Sequence, residues 1–484
     1  MGSLYSKLLE VADRRGRRVA IISRDENVTY ESLRIAVEGC AAALAANGVR
    51  SGHHILAEFG RPEYHLIALL AANKIGASFI VASFSDAEKI TRPVDFKLTD
   101  SSAPVEMRRG ALVMEKSWLA ESDTFRPVAN VIDDDGIQCL FATSGSTGER
   151  KYIAISERNL LNRLKVANRD FIGENTRLLC TIGSRTVFAT EVHLTTLLRG
   201  GSIVVLPMKS DYLAHYIDLF AVSTLITTPL IVEDLVKLDF PRKLYRSLDH
   251  VTLSGASAAP TLIEAVAQKV SDRIILTYGN SELGAAAKFT YAKDEFVPGI
   301  VGKVFAETDI EIVDEADQAV EQGVQGFVRM RRENAIAEPG YANAGEVGGE
   351  RFTGDWFYPG DRGWLDAKGN LIIAGRDDNV INVGGNKYSL ELIESEIEAN
   401  LDCRCVALRG EKVPQSETIV LVVSADRQMR SRRILKVIDA QFHRLGVSGI
   451  HQADTITMTD TGKKDRVALA RLLRSEPNLF RKLA

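Results

Sequence analysis

Near the N-terminus, short β-branched runs alternate with longer apolar segments of helical period, and this alternation constrains the fold more than any other feature. Val19-Ala20-Ile21-Ile22 reads as a strand. Thr29 follows as an N-cap with Glu31 in the first turn, although Ser32, three residues on, gives no capping box. The helix continues through residues 32–48 and closes at Gly48. Residues 53–60 read as a strand, 65–77 as a helix with Gly76 near its end, and 77–83 as another strand. Such alternation predicts an α/β fold with a parallel, doubly wound sheet. Residues 86–134 carry no pattern that assigns elements. A chain of 484 residues exceeds what one core holds, so at least two domains are expected.

Charge and cysteine usage exclude several classes. The 60 Lys and Arg are interspersed with 64 Asp and Glu for a net charge of -4, which offers no basic face to nucleic acid. The most apolar run, Leu66 to Ala72, is cut by Asn73 and Lys74 and is too short for a membrane span. Residues 1–18 have no apolar core before a small-residue cleavage site, so a cytoplasmic enzyme is expected. The five cysteines are scattered. Cys403 and Cys405 alternate in a strand-like run, with no further Cys or His at metal-ligand spacing, and read as thiols in a reducing compartment.

The richest stretch chemically is Leu140 to Ile155. Apolar runs flank the small and hydroxylated residues Thr143-Ser144-Gly145-Ser146-Thr147-Gly148 and the charged Glu149-Arg150-Lys151, which predicts strand, loop, strand. Taken alone, such a run is more often a polar hairpin loop. No Gly-Lys-Ser/Thr closes it, so it is not a Walker loop. Its glycines, hydroxyls and amides, with a terminal lysine, are nonetheless the parts that hold a polyphosphate.

Further stretches join it. Gly255-Ala256-Ser257 follow a strand, and Tyr278-Gly279-Asn280-Ser281-Glu282 combine an aromatic face, a glycine, a hydroxyl and a carboxylate suited to magnesium. Gly360-Asp361-Arg362-Gly363 precede Asp366, Gly369, Leu371, Gly375, Arg376, Asp378 and Gly385. Thr461-Gly462-Lys463-Lys464 lie near the C-terminus, before Arg466 and Leu469. Leu390, Ile393, Ile397 and Leu401 recur at helical spacing, and the intervening Glu391, Glu394, Glu396 and Glu398 read as a solvated helix surface.

In their order and spacing these motifs resemble the adenylate-forming superfamily of acyl- and aryl-CoA ligases, luciferases and peptide-synthetase adenylation domains. The resemblance covers nearly the whole chain, with departures at Arg150 and Pro359, where the family has proline and threonine, and at Leu390 and Lys464. It implies a large N-terminal domain of doubly wound sheets, residues 1–376, that binds ATP and acid. A small mobile α+β C-terminal domain, 377–484, would carry the catalytic lysine. By resemblance the 143–151 loop, with Lys151, receives the β- and γ-phosphates, and Gly255, Ala256 and Ser257 form one wall of the adenine pocket. Tyr278, Gly279, Asn280 and Ser281 line the nucleotide site, and Glu282 holds Mg2+. Asp361 binds the ribose hydroxyls, Arg376 adds a donor, and Asp378 is the hinge. Lys463 aligns with the catalytic lysine, with Lys464 beside it as the alternative.

The resemblance implies activation of a carboxylic acid by ATP to an acyl-adenylate, followed by thioester formation with coenzyme A. Gly384, Gly385 and Lys387 would border the thiol channel. Val187, Phe188, Thr228 and Gly284 would line the acid pocket. Val187 stands where amino-acid-activating relatives have an aspartate for the α-amine, which argues for an acid without one; Glu191 and His193 lie nearby. Two other readings remain open. The acyl group could pass to the phosphopantetheine of an acyl carrier protein in trans, because no carrier domain follows Leu469. Alternatively, the chain is a non-catalytic nucleotide-binding relative.

Overall fold

The structure is a computed structural model that describes residues 3–24, 26–90, 92–120, 128–131, 135–143, 151–166, 171–206, 210–238, 240–333, 335, 351–383, 386–413, 416–425, 427–442, 445–459 and 463–483. It is a mixed α/β fold with a large multi-sheet N-terminal region and a smaller C-terminal one. The strands Val19–Ser23, His54–Ala57 and Ser78–Val81 form as expected, yet they do not share one sheet. Val19–Ser23 pairs in parallel with Ser202–Val205 in a fifteen-stranded sheet. His54–Ala57 and Ser78–Val81 lie side by side in a six-stranded sheet. The stretch without an assignable pattern supplies the short strands Phe96–Asp100 and Leu112–Met114 to that second sheet. Five- and three-residue strands are too brief to declare a period.

Thr29 caps its helix, its side chain accepting from the Ser32 amide, and Gly76 ends the next helix in the left-handed conformation. That next helix, Pro62–Ile75, buries nearly every residue, including Asn73 and Lys74. It is hydrophobic all round because it lies inside the protein. No helix among the described residues is long and apolar enough to cross a membrane.

In the large sheet the strands Arg177–Cys180, Thr224–Thr227, His250–Leu253 and Ile274–Asn280 run parallel. Antiparallel strands Gly284–Thr290, Ile300–Val304, Asn370–Arg376 and Asp361–Leu365 extend it. Arg376 ends the Asn370–Arg376 strand, and Val380 begins the first strand of a separate six-stranded sheet. That sheet has its own core, with Ile381, Leu390, Ile393, Ile397, Cys405 and Leu421 among its members. Cys405 is buried in this core and Cys403 packs against it; all five cysteines are free.

Candidate active site

A cleft of about 2320 Å³ opens at the carboxyl ends of parallel strands, with the small region across it. Ligands of α/β sheets bind at this edge, where chain reversals bring loops together. The volume exceeds that of an ordinary small-ligand pocket and has room for two reactants. Among the expected site residues, Thr143, Lys151, Gly255, Ala256, Ser257, Tyr278, Gly279, Asn280, Ser281, Glu282, Asp361, Arg376 and Asp378 all line it. So do Val187, Phe188, Thr228, Gly284 and Lys463. Thr143 and Lys151 face each other at the end of an antiparallel hairpin, Ile137–Thr143 with Lys151–Ser156. Ser144, Gly145, Ser146, Thr147 and Gly148 between them lie outside the described residues, as do Gly384 and Gly385. Lys387 sits on the strand Asn386–Ser389, opposite Asn382, and its side chain is likewise outside the description.

The 278–282 segment closes a hairpin between Ile274–Asn280 and Gly284–Thr290. Asn280 Oδ1 accepts from the Leu283 amide at 2.7 Å, which ties the turn. The register shifts between Tyr278 and Gly279. A Cβ at Gly279 would strike the Gly284 carbonyl and the Ala285 backbone, so this glycine makes room for its own hairpin. Two arginines, Arg163 buried and Arg332 half-buried, hold the turn. Arg163 Nη1 donates to the Glu282 and Ala335 carbonyls at 3.0 and 3.2 Å, and its Nη2 to the Ser281 carbonyl at 2.9 Å. Arg332 donates to the Leu283 carbonyl at 2.8 Å and to that of Ala285 at 2.5 Å. Burial, with Arg163 beside it, lowers the Arg332 pKa to about 10.

Asp361 and Arg376 stand opposite each other on adjacent strands, Oδ1 to Nη1 at 3.2 Å. The Tyr278 hydroxyl donates to the other oxygen, Asp361 Oδ2. Burial and that carboxylate push the Tyr278 pKa well up. Burial alone would lower the Arg376 pKa; Asp361 and Asp378 outweigh it, and the net shift is upward. Arg376 also reaches Asp378 Oδ2 at 3.4 Å, and Arg351 reaches the same oxygen at 3.3 Å. Tyrosine, aspartate and arginine thus form one charge-assisted wall.

Two adjacent lysines in the small region have different surroundings. Lys464 Nζ pairs with Glu394 at 3.0 Å and Glu398 at 2.8 Å. Burial would lower its pKa, but those carboxylates raise it. Lys463 opens onto the cleft, where crowding by protein lowers its pKa against the pull of Asp361 and Glu282; the Arg376 cation adds to the lowering. The expectation of a solvated glutamate surface is corrected here. Glu394 is 2% exposed and also meets Arg466 at 2.7 Å, and burial raises its pKa. Position 394 lies on the apolar stripe of 390, 393, 397 and 401, so it faces the interior.

Three of the four acid-pocket residues come from two helix starts, and Gly284 from the start of a strand. Val187 begins the helix Val187–Leu198 behind Thr186, whose hydroxyl accepts from the Ala189 amide. Thr228 caps Pro229–Lys237 and so has a structural task besides lining the cleft. Neither Glu191 nor His193 faces solvent. Glu191 is 1% exposed and pairs with Arg163 at 2.6 Å, and burial holds His193 down to about 4. Sequence reasoning passed over Arg163 and Arg332. The available signal was an ion on an apolar stripe, since Arg163 lies three residues from Leu160 and next to Leu164.

Comparison with known proteins identifies the family. The profile of the AMP-binding enzyme family matches residues 8–341. The dimodular nonribosomal peptide synthase of Bacillus subtilis is 25% identical across 93% of this chain, which spans only 20% of that relative's length. The probable CoA ligase CCL9 of Humulus lupulus is 25% identical across 80% of this chain and 79% of its own. The fold of the o-succinylbenzoate CoA synthetase MenE of Bacillus subtilis, solved with its acyl-adenylate intermediate, superposes with a TM-score of 0.84. It does so at 18% identity, over 97% of this chain and 98% of that one.

Proposed function

The chain belongs to the AMP-binding enzyme family, and from that premise we propose that it is an ATP-dependent, AMP-forming ligase that activates a carboxylic acid and passes the acyl group to coenzyme A. The observation that carries this reading is the placement of Lys463, from the small region, on the lining of the same cleft as Asp361, Arg376 and Glu282 of the large one. In the first step a carboxylate oxygen of the acid bonds to the α-phosphorus, and the bond to pyrophosphate breaks. Two anions must approach, and charge builds on the phosphoryl oxygens, so fixed cations dominate catalysis. Lys463 sets its positive charge against those oxygens. Lys151 and the 143–148 loop hold the leaving phosphates.

Asp361 and Tyr278 offer an acceptor and an aromatic face for the nucleoside, and Arg376 steadies the carboxylate. The carboxylate of Glu282, 8% exposed at the cleft wall, is the hard oxygen donor that magnesium prefers. That ion, when bound, supplies charge neutralisation on the phosphates. In the second step the small region turns about Asp378, and the thiol of coenzyme A attacks the acyl carbon and releases AMP. Gly384, Gly385 and Lys387 would then border the thiol. The acid pocket of Val187, Phe188, Thr228 and Gly284 favours an acid without an α-amine. The peptide-synthase relative supports a second reading, in which the acceptor is the phosphopantetheine thiol of an acyl carrier protein.

Mass spectrometry of products from ATP, magnesium and a panel of carboxylic acids, with and without coenzyme A, tests the proposal. An acyl-AMP that turns into acyl-CoA is expected. An acyl-AMP that persists beside coenzyme A would favour the carrier reading, and no adenylate from any acid would contradict both.

A further inference from the structure

Arg163 has no role in the chemistry above, yet it lies buried beneath the turn that carries Glu282. Burying an ion is costly, and an apolar side chain could fill the same space. What a guanidinium adds is a planar fork of donors at fixed angles. Here Nε binds Glu191 Oε1 at 2.6 Å, while the two terminal nitrogens bind the carbonyls of Ser281, Glu282 and Ala335. Glu191 comes from the helix Val187–Leu198 and Arg163 from Glu157–Val166. Two packed helices therefore orient one fork, and the fork orients the turn. On the far side Arg332 takes the carbonyls of Leu283 and Ala285. Gly284 sits between both guanidinium groups, where a Cβ would lie 3.4 Å from each.

We propose that Arg163, held by Glu191, is a positioning residue that fixes the Ser281–Glu282 backbone and so aims the Glu282 carboxylate at magnesium–ATP. This rests on the nucleotide reading of the cleft and deepens it: residues outside every motif set the metal affinity of the site.

The decisive variant is the double substitution Arg163→Met with Glu191→Met. Exchanging a buried pair for apolar groups of similar volume is often neutral for stability, whereas removing one partner leaves an uncompensated ion. The double variant takes the donor from the carbonyls of Ser281, Glu282 and Ala335, so it is expected to fold but to melt a few degrees below the parent. Its amides at 281–285 should exchange with deuterium on the order of ten-fold faster. Its affinity for magnesium–ATP by calorimetry should fall on the order of ten-fold, with metal-free ATP binding unchanged. Arg163→Lys, which keeps the charge and loses the fork, should restore only part of that affinity. A stable double variant with parental exchange and parental magnesium–ATP affinity would overturn the proposal. So would faster exchange with affinity unchanged, because the turn would not then aim the carboxylate. If the parent protein itself binds no magnesium–ATP, the nucleotide reading falls. The exchange measurement, which needs no ligand, then decides by itself whether Arg163 orders the turn.

Discussion

In the large region Arg163 and Glu191 meet at 2.6 Å with each side chain 1% exposed; in the small region Glu394 meets Lys464 and Arg466, whose side chains stay 25% and 20% exposed. Both clusters put ions on the apolar stripe of a helix. The first directs donors at backbone carbonyls and shapes a turn. The second pairs Glu394 with the Lys464 and Arg466 side chains, holds the Ala407 backbone as well, and ties residues 464–466 to the helix Leu390–Asn400. That tie engages Lys464 and leaves its neighbour Lys463 directed at the cleft. A dry ion pair in this protein shapes the site, and a half-wet one delivers a cation to it.

Acid should separate the two regions most. Burial holds His65 down to about 3 and His193 and His250 to about 4, from an ordinary 6.5, and all three belong to the large region. Each binds a proton on unfolding at any pH between its folded value and 6.5. Their contribution is therefore intact above 6.5 and is lost as pH falls towards 4 and then 3, by up to about 1.4 kcal/mol per pH unit for each imidazole. Glu394 has the opposite sign: its raised pKa means that stability is lost as pH rises through its window. The large region is expected to unfold first on acidification. Trp118, Trp356 and Trp364 all lie before residue 376, so tryptophan emission should change at a higher pH than deuterium exchange in the 390–400 helix. Coincident transitions would break the comparison.

A smaller effect is expected for Lys464→Met. It leaves Glu394 with Arg466 as its cation, and should cost about 1–2 kcal/mol by denaturant titration. Adenylate formation should stay within a few-fold, and a collapse of chemistry would mean that Lys464 does more than brace the loop. The smallest effect concerns the contact between regions. Arg404 reaches Glu233 at 3.2 Å and Asp234 at 3.5 Å on the helix Pro229–Lys237. Such half-exposed pairs contribute on the order of 1 kcal/mol. Arg404→Ala should therefore slow adenylation by less than about five-fold at low salt, and by less still at high salt. A larger loss would give this contact a weight its exposure does not predict.

The motifs were legible because each packs its chemistry into a few adjacent residues. Tyr278 to Glu282 form one turn, and Asp361 and Arg376 were singled out by the family resemblance; that they pair across adjacent strands is visible only in the structure. Arg163, Glu191 and Glu394 were not, since their meaning depends on partners 28 and 70 residues away. In each case the position on the apolar stripe was visible, but a charge there was read as an outward-facing residue or passed over. The early strands fall into two of the sheets expected for the large region, a division the alternation leaves open because it fixes the order of elements but not which edge each strand joins. The strands Phe96–Asp100 and Leu112–Met114 were too short to show a period.

The most direct test of Lys463 as the cation of adenylate formation is ATP–pyrophosphate exchange driven by a panel of carboxylic acids, run on the parent, Lys463→Ala and Lys464→Ala together. The account predicts exchange with at least one acid for the parent and for Lys464→Ala. For Lys463→Ala it predicts a fall on the order of a hundred- to a thousand-fold, as for loss of one positioned charge, with ATP binding by calorimetry unchanged. Parental exchange in Lys463→Ala, or its loss in Lys464→Ala alone, would contradict it.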